Sequence, residues 1–147
     1  MTSLQTAVVT GGAGFIGSHM VDLLLDRGFE VRVIDNMLNG RSANLEQHRD
    51  NKDLSLDEID LRDVSPTSIL FTGADYVFHF AGIGDIVPSM EHPTDYMSAN
   101  VMGTVHALEA ARHAGVHKFV YAASSSCYGL ASELPTTEAA RIDTQYP

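Results

Sequence analysis

Three glycines three apart, Gly11, Gly14 and Gly17, follow directly on the apolar run Ala7-Val8-Val9. They sit in Thr10-Gly11-Gly12-Ala13-Gly14-Phe15-Ile16-Gly17, where Gly12, Gly14 and Gly17 also satisfy the GxGxxG spacing. An apolar run that feeds a glycine-rich turn and then opens a helix is the build of a dinucleotide phosphate site. The early glycines permit a tight turn and close approach of a pyrophosphate. Gly17 lets the helix pack against the strand. The helix N-terminus adds N–H donors and partial positive charge. The alternative is a glycine-rich turn without a ligand, which the strand–turn–helix context disfavours.

Asp35-Asn36 stands 24 residues after Gly11, at the end of a second apolar run. An acid about 20 residues past the fingerprint hydrogen-bonds ribose hydroxyls and repels a 2′-phosphate, which points to NAD rather than NADP. Arg41 lies nearby and is read as a loop cation, since Asp35 holds the deciding position. Two further strand ends are expected to line the same crevice. At Asp60-Leu61 a side chain and backbone can meet an adenine edge, and at Phe80-Ala81-Gly82 small residues let the backbone approach the second ribose. A turn-forming role is the plainer reading of Gly82.

The elements that must position these groups alternate strand and helix. Strands are expected at Thr6–Thr10, Glu30–Ile34, Leu54–Ile59, Asp75–Phe80 and Lys118–Ala123. Helices are expected at Ile16–Asp26, with Ile16, Met20, Leu23 and Leu24 as its apolar face, at Val64–Phe71 with Asp63 as N-cap, and at Pro93–Ala114, stopped by Gly115. Strands 1, 2, 4 and 5 are apolar runs rather than alternations, which suits parallel strands buried on both faces. The βαβ repeat implies an α/β fold: a Rossmann-type doubly wound parallel sheet in the order 3-2-1-4-5. Its ligand crevice should lie between strands 1 and 4, where the order reverses. Residues 129–147 show no periodicity and read as loop, which a compact domain rarely ends on unless something follows.

Bulk composition narrows the partners. The chain has 147 residues, 44% of them hydrophobic, room for one domain with a real core. Nine basic against 19 acidic side chains give a net charge of −10, which argues against nucleic-acid and anionic-membrane surfaces. Backbone N–H groups can still hold a phosphate in an acidic protein. One cysteine, Cys127, excludes an internal disulfide and suits a reducing, cytoplasmic setting. The first residues lack the pattern of a signal peptide, and no apolar run approaches a membrane span.

With these elements in place, the chain resembles the extended short-chain dehydrogenase/reductase family, in particular its nucleotide-sugar 4-epimerases. The residues that carry the likeness are Thr10 to Gly17, Asp35-Asn36, Asp60-Leu61, His79-Phe80-Ala81-Gly82, Asn100-Val101-Met102-Gly103-Thr104 and Ser124-Ser125-Ser126-Cys127-Tyr128-Gly129. The resemblance implies NAD as cofactor. It also implies that Phe15, Ile16, Asn100 and Ala123 join the cofactor site.

The family works with a Ser or Thr, a Tyr, and a Lys four residues after that Tyr. Ser124 matches the Ser/Thr position, four residues before Tyr128. Tyr128 belongs to the recurring Tyr-Gly pair and is not the base. The only lysines are Lys52 and Lys118, so no tyrosine has a lysine four residues downstream within the chain. The chain is therefore expected to be the N-terminal part of a longer enzyme, residues 1–147 forming its NAD-binding domain without the C-terminal substrate domain. Such a fragment is expected to be inactive alone.

The resemblance implies epimerisation of a UDP-hexose or UDP-N-acetylhexosamine through a transient 4-keto sugar, with Ser124 orienting O4. The 4,6-dehydratases of the family carry Asp and Glu directly after the catalytic Ser or Thr, and the decarboxylases keep a Glu at the second of those places. Here Ser125 and Ser126 stand there, which favours the epimerase. A dehydratase, a decarboxylase or a non-catalytic NAD-binding module remains the alternative. The family pairs the long helix with one that follows the catalytic Tyr to make a homodimer, so dimerisation is expected to be weakened in this chain.

Other residues are read plainly. His113 and His117, four apart with no third ligand, are expected to face solvent rather than a metal. Cys127 reads as a packed thiol and His79 as a hydrogen-bonded strand residue. Met90, Met97 and Met102 read as packing, and the Glu46–Asp53 charge cluster as a solvated loop.

Overall fold

Val8 faces one side of β1 (Thr6–Thr10) while Ala7 and Val9 face the other, and every residue of the strand is buried. A strand covered on both faces is the centre of a sheet. In the computed structural model, which describes residues 4–129 and 134–142, β1 is flanked by β2 (Glu30–Asp35) and β4 (Tyr76–His79). Outside them lie β3 (Leu54–Glu58) and β5 (Lys118–Tyr121). All pairings are parallel and the order is β3-β2-β1-β4-β5, as the alternating pattern predicts.

Two cores follow from the strand parity. On one face Val8, Ile34 and Val77 meet Phe71, Leu61 and the small residues Ala107, Ala110 and Ala111. On the other, Ala7, Val9, Val31 and Val33 meet Val21, Leu24 and Leu45. The second core is covered by α1 (Phe15–Asp26), whose buried residues are Gly17, Ser18, Val21 and Leu24. This corrects the expected face. Ile16 and Leu23 are exposed, because contact between Gly17 and the glycine turn sets the rotation of the helix.

The expected helix at Val64–Phe71 is absent. One 3₁₀ turn, Leu61–Asp63, ends just before this stretch and another, Ile69–Phe71, closes it, with Asp60 and Ser68 as their caps. Pro66 and the local side-chain caps favour short turns over a continuous helix. The Glu46–Asp53 cluster is solvated as expected, but its first residues belong to an ordered turn. Ser42–His48 forms a 3₁₀ helix that buries Leu45 and ties Gln47 and His48 to Asp22 of α1.

The expected long helix is interrupted. It begins with α3 (Pro93–Met97), passes through a π segment at Ser98–Met102, and continues as α4 (Gly103–Ala114). Thr104 Oγ1 donates to the Asn100 carbonyl at 2.6 Å and competes for an acceptor the regular ladder would use. Gly115 ends α4 in the left-handed conformation, φ 71°, as a helix-stopping glycine does. A short α2 (Ile86–Glu91), which the apolar spacing does not mark, precedes α3. Met90, Met97 and Met102, expected to serve packing, are exposed. After β5, Ser125–Tyr128 makes a 3₁₀ turn, and residues 134–142 are irregular, as the loop reading expects. The rest of that reading, residues 130–133 and 143–147 with Tyr146 and Pro147, lies outside the described residues.

Candidate functional site

A cavity of about 360 Å³ opens at the C-terminal ends of β1, β2, β3 and β4, at the reversal of strand order. Of the residues singled out from sequence, it brings together Gly11, Gly14, Asp35, Asn36, Asp60, Leu61, Phe80, Ala81 and Gly82.

The glycine turn forms one wall. Gly11 takes φ 69° and donates its N–H to Ile34 O at 2.8 Å, closing the turn against β2. A side chain at Gly11 would meet Ala81 N at 2.6 Å, so two main-chain segments touch here. A side chain at Gly17 would collide with the Gly11 carbonyl. Gly14 caps α1 without a side-chain bond, and the first intrahelical bond runs from Ser18 N–H to Gly14 O. The N–H groups of Phe15, Ile16 and Gly17 precede that bond and form the donor end of the helix dipole. The side chains of Phe15 and Ile16 point to solvent and do not line the cavity.

Asp35 is nearly buried and stapled at both oxygens. Oδ2 accepts from Ala13 N–H at 3.0 Å and Oδ1 from Met37 N–H at 2.9 Å. The carboxylate thus ties the glycine turn to the loop after β2. Gly40 lies against it, since a side chain there would meet Asp35 Oδ1 at 2.7 Å. Arg41 does not line the cavity, and its N–H donates to Ala13 O at 3.0 Å.

Asp60 is held by Arg62 through its N–H, Nε and Nη2 at 2.8–2.9 Å, and by Asn36 Nδ2 at 2.9 Å. The Arg62 side-chain hydrogen bonds, chief among these contacts, keep the Asp60 carboxyl well below the usual carboxylate range. Arg62 also donates to Ser98 Oγ at 3.2 Å and so links this corner to the π segment.

Asn100 does not line the cavity. Its side chain clamps the main chain of Ile83, accepting from Ile83 N–H at 2.8 Å and donating to Ile83 O at 2.9 Å. It acts on the wall rather than in the site. Ala123 and Ser124 are exposed just past β5, on the same edge of the sheet, and neither lines the cavity. His113 and His117 are exposed, His117 Nδ1 lying 4.0 Å from Asp75.

Several lining residues were missed: Leu38, Asn39, Gly40, Arg62, Ile83 and Ala99 among them. Asn39-Gly40 carries a turn signal that could have marked the loop. Arg62, two residues past Asp60, offered a charge partner. Nothing local marks Ile83 or Ala99, which reach the cavity only through tertiary packing.

Comparison with known proteins agrees with this geometry. The NAD dependent epimerase/dehydratase family matches residues 7–147. UDP-glucose 4-epimerase 2 of Arabidopsis thaliana is 37% identical over 150 residues, covering 97% of this chain and 43% of the relative. The chain thus spans less than half the length of that relative. Among solved structures, the UDP-N-acetylglucosamine 4-epimerase of Methanobrevibacter ruminantium M1, in complex with UDP-N-acetylmuramic acid, superposes with a TM-score of 0.84 at 33% identity, covering 96% of this chain and 44% of that one. The dTDP-glucose 4,6-dehydratase DesIV of Streptomyces venezuelae, with NAD and TYD bound, gives a TM-score of 0.84 at 32% identity, covering 95% and 45%. From its glycine turn to its last described residues, this chain belongs to the NAD dependent epimerase/dehydratase family.

Proposed function

We propose that residues 1–147 are the NAD-binding part of a nucleotide-sugar 4-epimerase acting on a UDP-hexose or UDP-N-acetylhexosamine. The carrying observation is the cavity at the strand-order reversal, walled by the glycine turn and bounded by a stapled aspartate. The residues present fit NAD. Gly11 and Gly17 sit where any side chain would collide, the first turn of α1 offers main-chain donors, and Asp35 opposes a 2′-phosphate. Gly11, Gly14, Phe15, Ile16 and Gly17 would hold the pyrophosphate. Asp35 and Asn36 would meet a ribose, Asp60 and Leu61 the adenine, and Phe80, Ala81, Gly82 and Ala123 the second half of the cofactor. Asn100 would serve the site by fixing Ile83.

When bound, NAD supplies a hydride acceptor that can return the hydride to either face of a ketone. Ser124, on the same edge of the sheet, would hydrogen-bond the sugar O4 and orient proton transfer. Titration calorimetry tests the cofactor reading: NAD should bind with one site and at least tenfold tighter than NADP, and absence of binding would refute it. The reaction is tested on the natural protein with UDP-galactose and UDP-N-acetylgalactosamine, followed by NMR. Inversion at C4 supports the epimerase. A 4-keto-6-deoxy product would instead indicate the dehydratase, which the likeness to DesIV keeps as the second reading. Bound NAD without turnover would indicate a binding module.

A further inference from the structure

His79 is a buried titratable side chain that the reaction outlined above does not use. It lies at the end of β4, 1% exposed, stacked against Tyr121 at a ring separation of 5.8 Å and tilted against Phe119 at 5.5 Å. Its Nδ1 is 2.7 Å from Thr10 Oγ1 and its Nε2 is 2.9 Å from Thr104 Oγ1.

The proton positions follow from one distance. Thr104 Oγ1 lies 2.6 Å from the Asn100 carbonyl oxygen, which can only accept, so the single hydroxyl proton of Thr104 lies between them. Thr104 must then accept from His79, which places the ring proton on Nε2. His79 Nδ1 is therefore an acceptor, and Thr10 Oγ1 donates to it. That leaves the lone pairs of Thr10 facing Ala81 N–H, 3.4 Å away. A one-way chain results, from Ala81 through Thr10, His79 and Thr104 to Asn100. The Asn100 side chain then returns to Ile83. Burial holds the ring neutral, lowering its pKa to about 4.

Both ends of this chain grip the segment after β4, and its middle grips the residue that opens the glycine turn. We propose that His79, as the neutral Nε2–H tautomer, is a positioning residue that sets the spacing between the two main-chain walls of the cofactor crevice. Those walls already touch at Gly11 and Ala81, so a small shift in either closes or opens the space between them. The inference rests on the cofactor reading above for its functional consequence and on geometry alone for the relay.

Two measurements test it. NMR of the chain with ¹⁵N-labelled imidazoles should show His79 protonated at Nε2 with an unprotonated Nδ1 at neutral pH. A ring that only filled space would not be held to one tautomer. Calorimetry with NAD should show about tenfold weaker binding for Thr10→Val and for His79→Phe, roughly the worth of one or two hydrogen bonds. His79→Asn, which keeps a carbonyl oxygen near the Nδ1 position, should stay within about threefold. Thr10→Val is close to isosteric and keeps the test valid if His79→Phe does not fold. An Nδ1–H tautomer, or Thr10→Val binding NAD as the unaltered chain does, would overturn the proposal. Failure of the unaltered chain to bind NAD would sink the cofactor reading, while the tautomer still decides the relay.

Discussion

Gly17 and His79 show how single residues set the site by what they exclude. At Gly17 the space for a methyl group is already filled by the Gly11 carbonyl, so Gly17→Ala must push α1 off the glycine turn. Overpacking of this kind costs about 1–3 kcal/mol. We expect a melting temperature lower by about 5 °C, together with at least tenfold weaker NAD binding. Thermal unfolding and calorimetry on the same variant check both, and an unchanged melting curve would contradict the packing argument. At His79 what is excluded is a proton. The folded value near 4 lies below the ordinary 6.5, so the unfolded chain takes up the proton first as pH falls. The stability tied to the neutral ring is complete above pH 6.5 and is lost progressively as pH drops toward 4. The loss totals roughly 3 kcal/mol at about 1.4 kcal/mol per unit. Denaturant titrations at pH 7, 5.5 and 4.5 should show this fall, and His79→Phe should flatten it.

At the scale of elements, the π segment is the joint that delivers two separate contacts. Ser98 from its first turn reaches Arg62, and Asn100 from its middle clamps Ile83. A regular helix from Pro93 to Ala114 would rotate these positions relative to α4, whose small face of Ala107, Ala110 and Ala111 is fixed against the sheet. Asn100→Ala should therefore loosen the segment after β4 while leaving α4 docked. The expected loss is about 1–3 kcal/mol, from two hydrogen bonds and the main-chain groups left behind. Amide exchange should accelerate at Ile83 and not at Ala110. Equal acceleration at both would mean that Asn100 supports the helix rather than the loop. Little of this joint was legible in the sequence. The apolar spacing of residues 93–114 reads as one helix, because a hydroxyl taking an i−4 carbonyl leaves no mark on hydrophobic periodicity. The turns between residues 61 and 71 are hidden for a similar reason, since caps by Asp60 and Ser68 compete locally with the helix that propensity suggests.

For the whole molecule, protection runs from the sheet centre to its β5 edge. β1 is buried along its length, whereas Tyr121 of β5 is 58% exposed and Val120 37%. Hydrogen exchange should follow this order, slowest at Val8 and Val9 and about a hundredfold or more faster in β5. Uniform protection across the five strands would show that some other surface stabilises the edge. Exposed Met97, Val101, Val105 and Leu108 likewise give the helix an apolar outer face. The packing expected of Met97 and Met102 is not seen, because side-chain type reports a preference for burial, not which face of a helix finds a partner.

The sequence by itself determined the order of strands, the glycine turn and the place of Asp35. Apolar runs, left-handed glycines and acids at strand ends are local consequences of parallel pairing and tight turning, and they survive in a string of letters. Only the tertiary structure decided that Asp35 staples two loops, that Asp60 is committed to Arg62 and Asn36, that Asn100 holds a wall instead of lining the cavity, and that His79 joins three elements. Each of these depends on at least one hydrogen bond between residues 17 to 69 positions apart. Their geometry exists only once the sheet has brought its strand ends together.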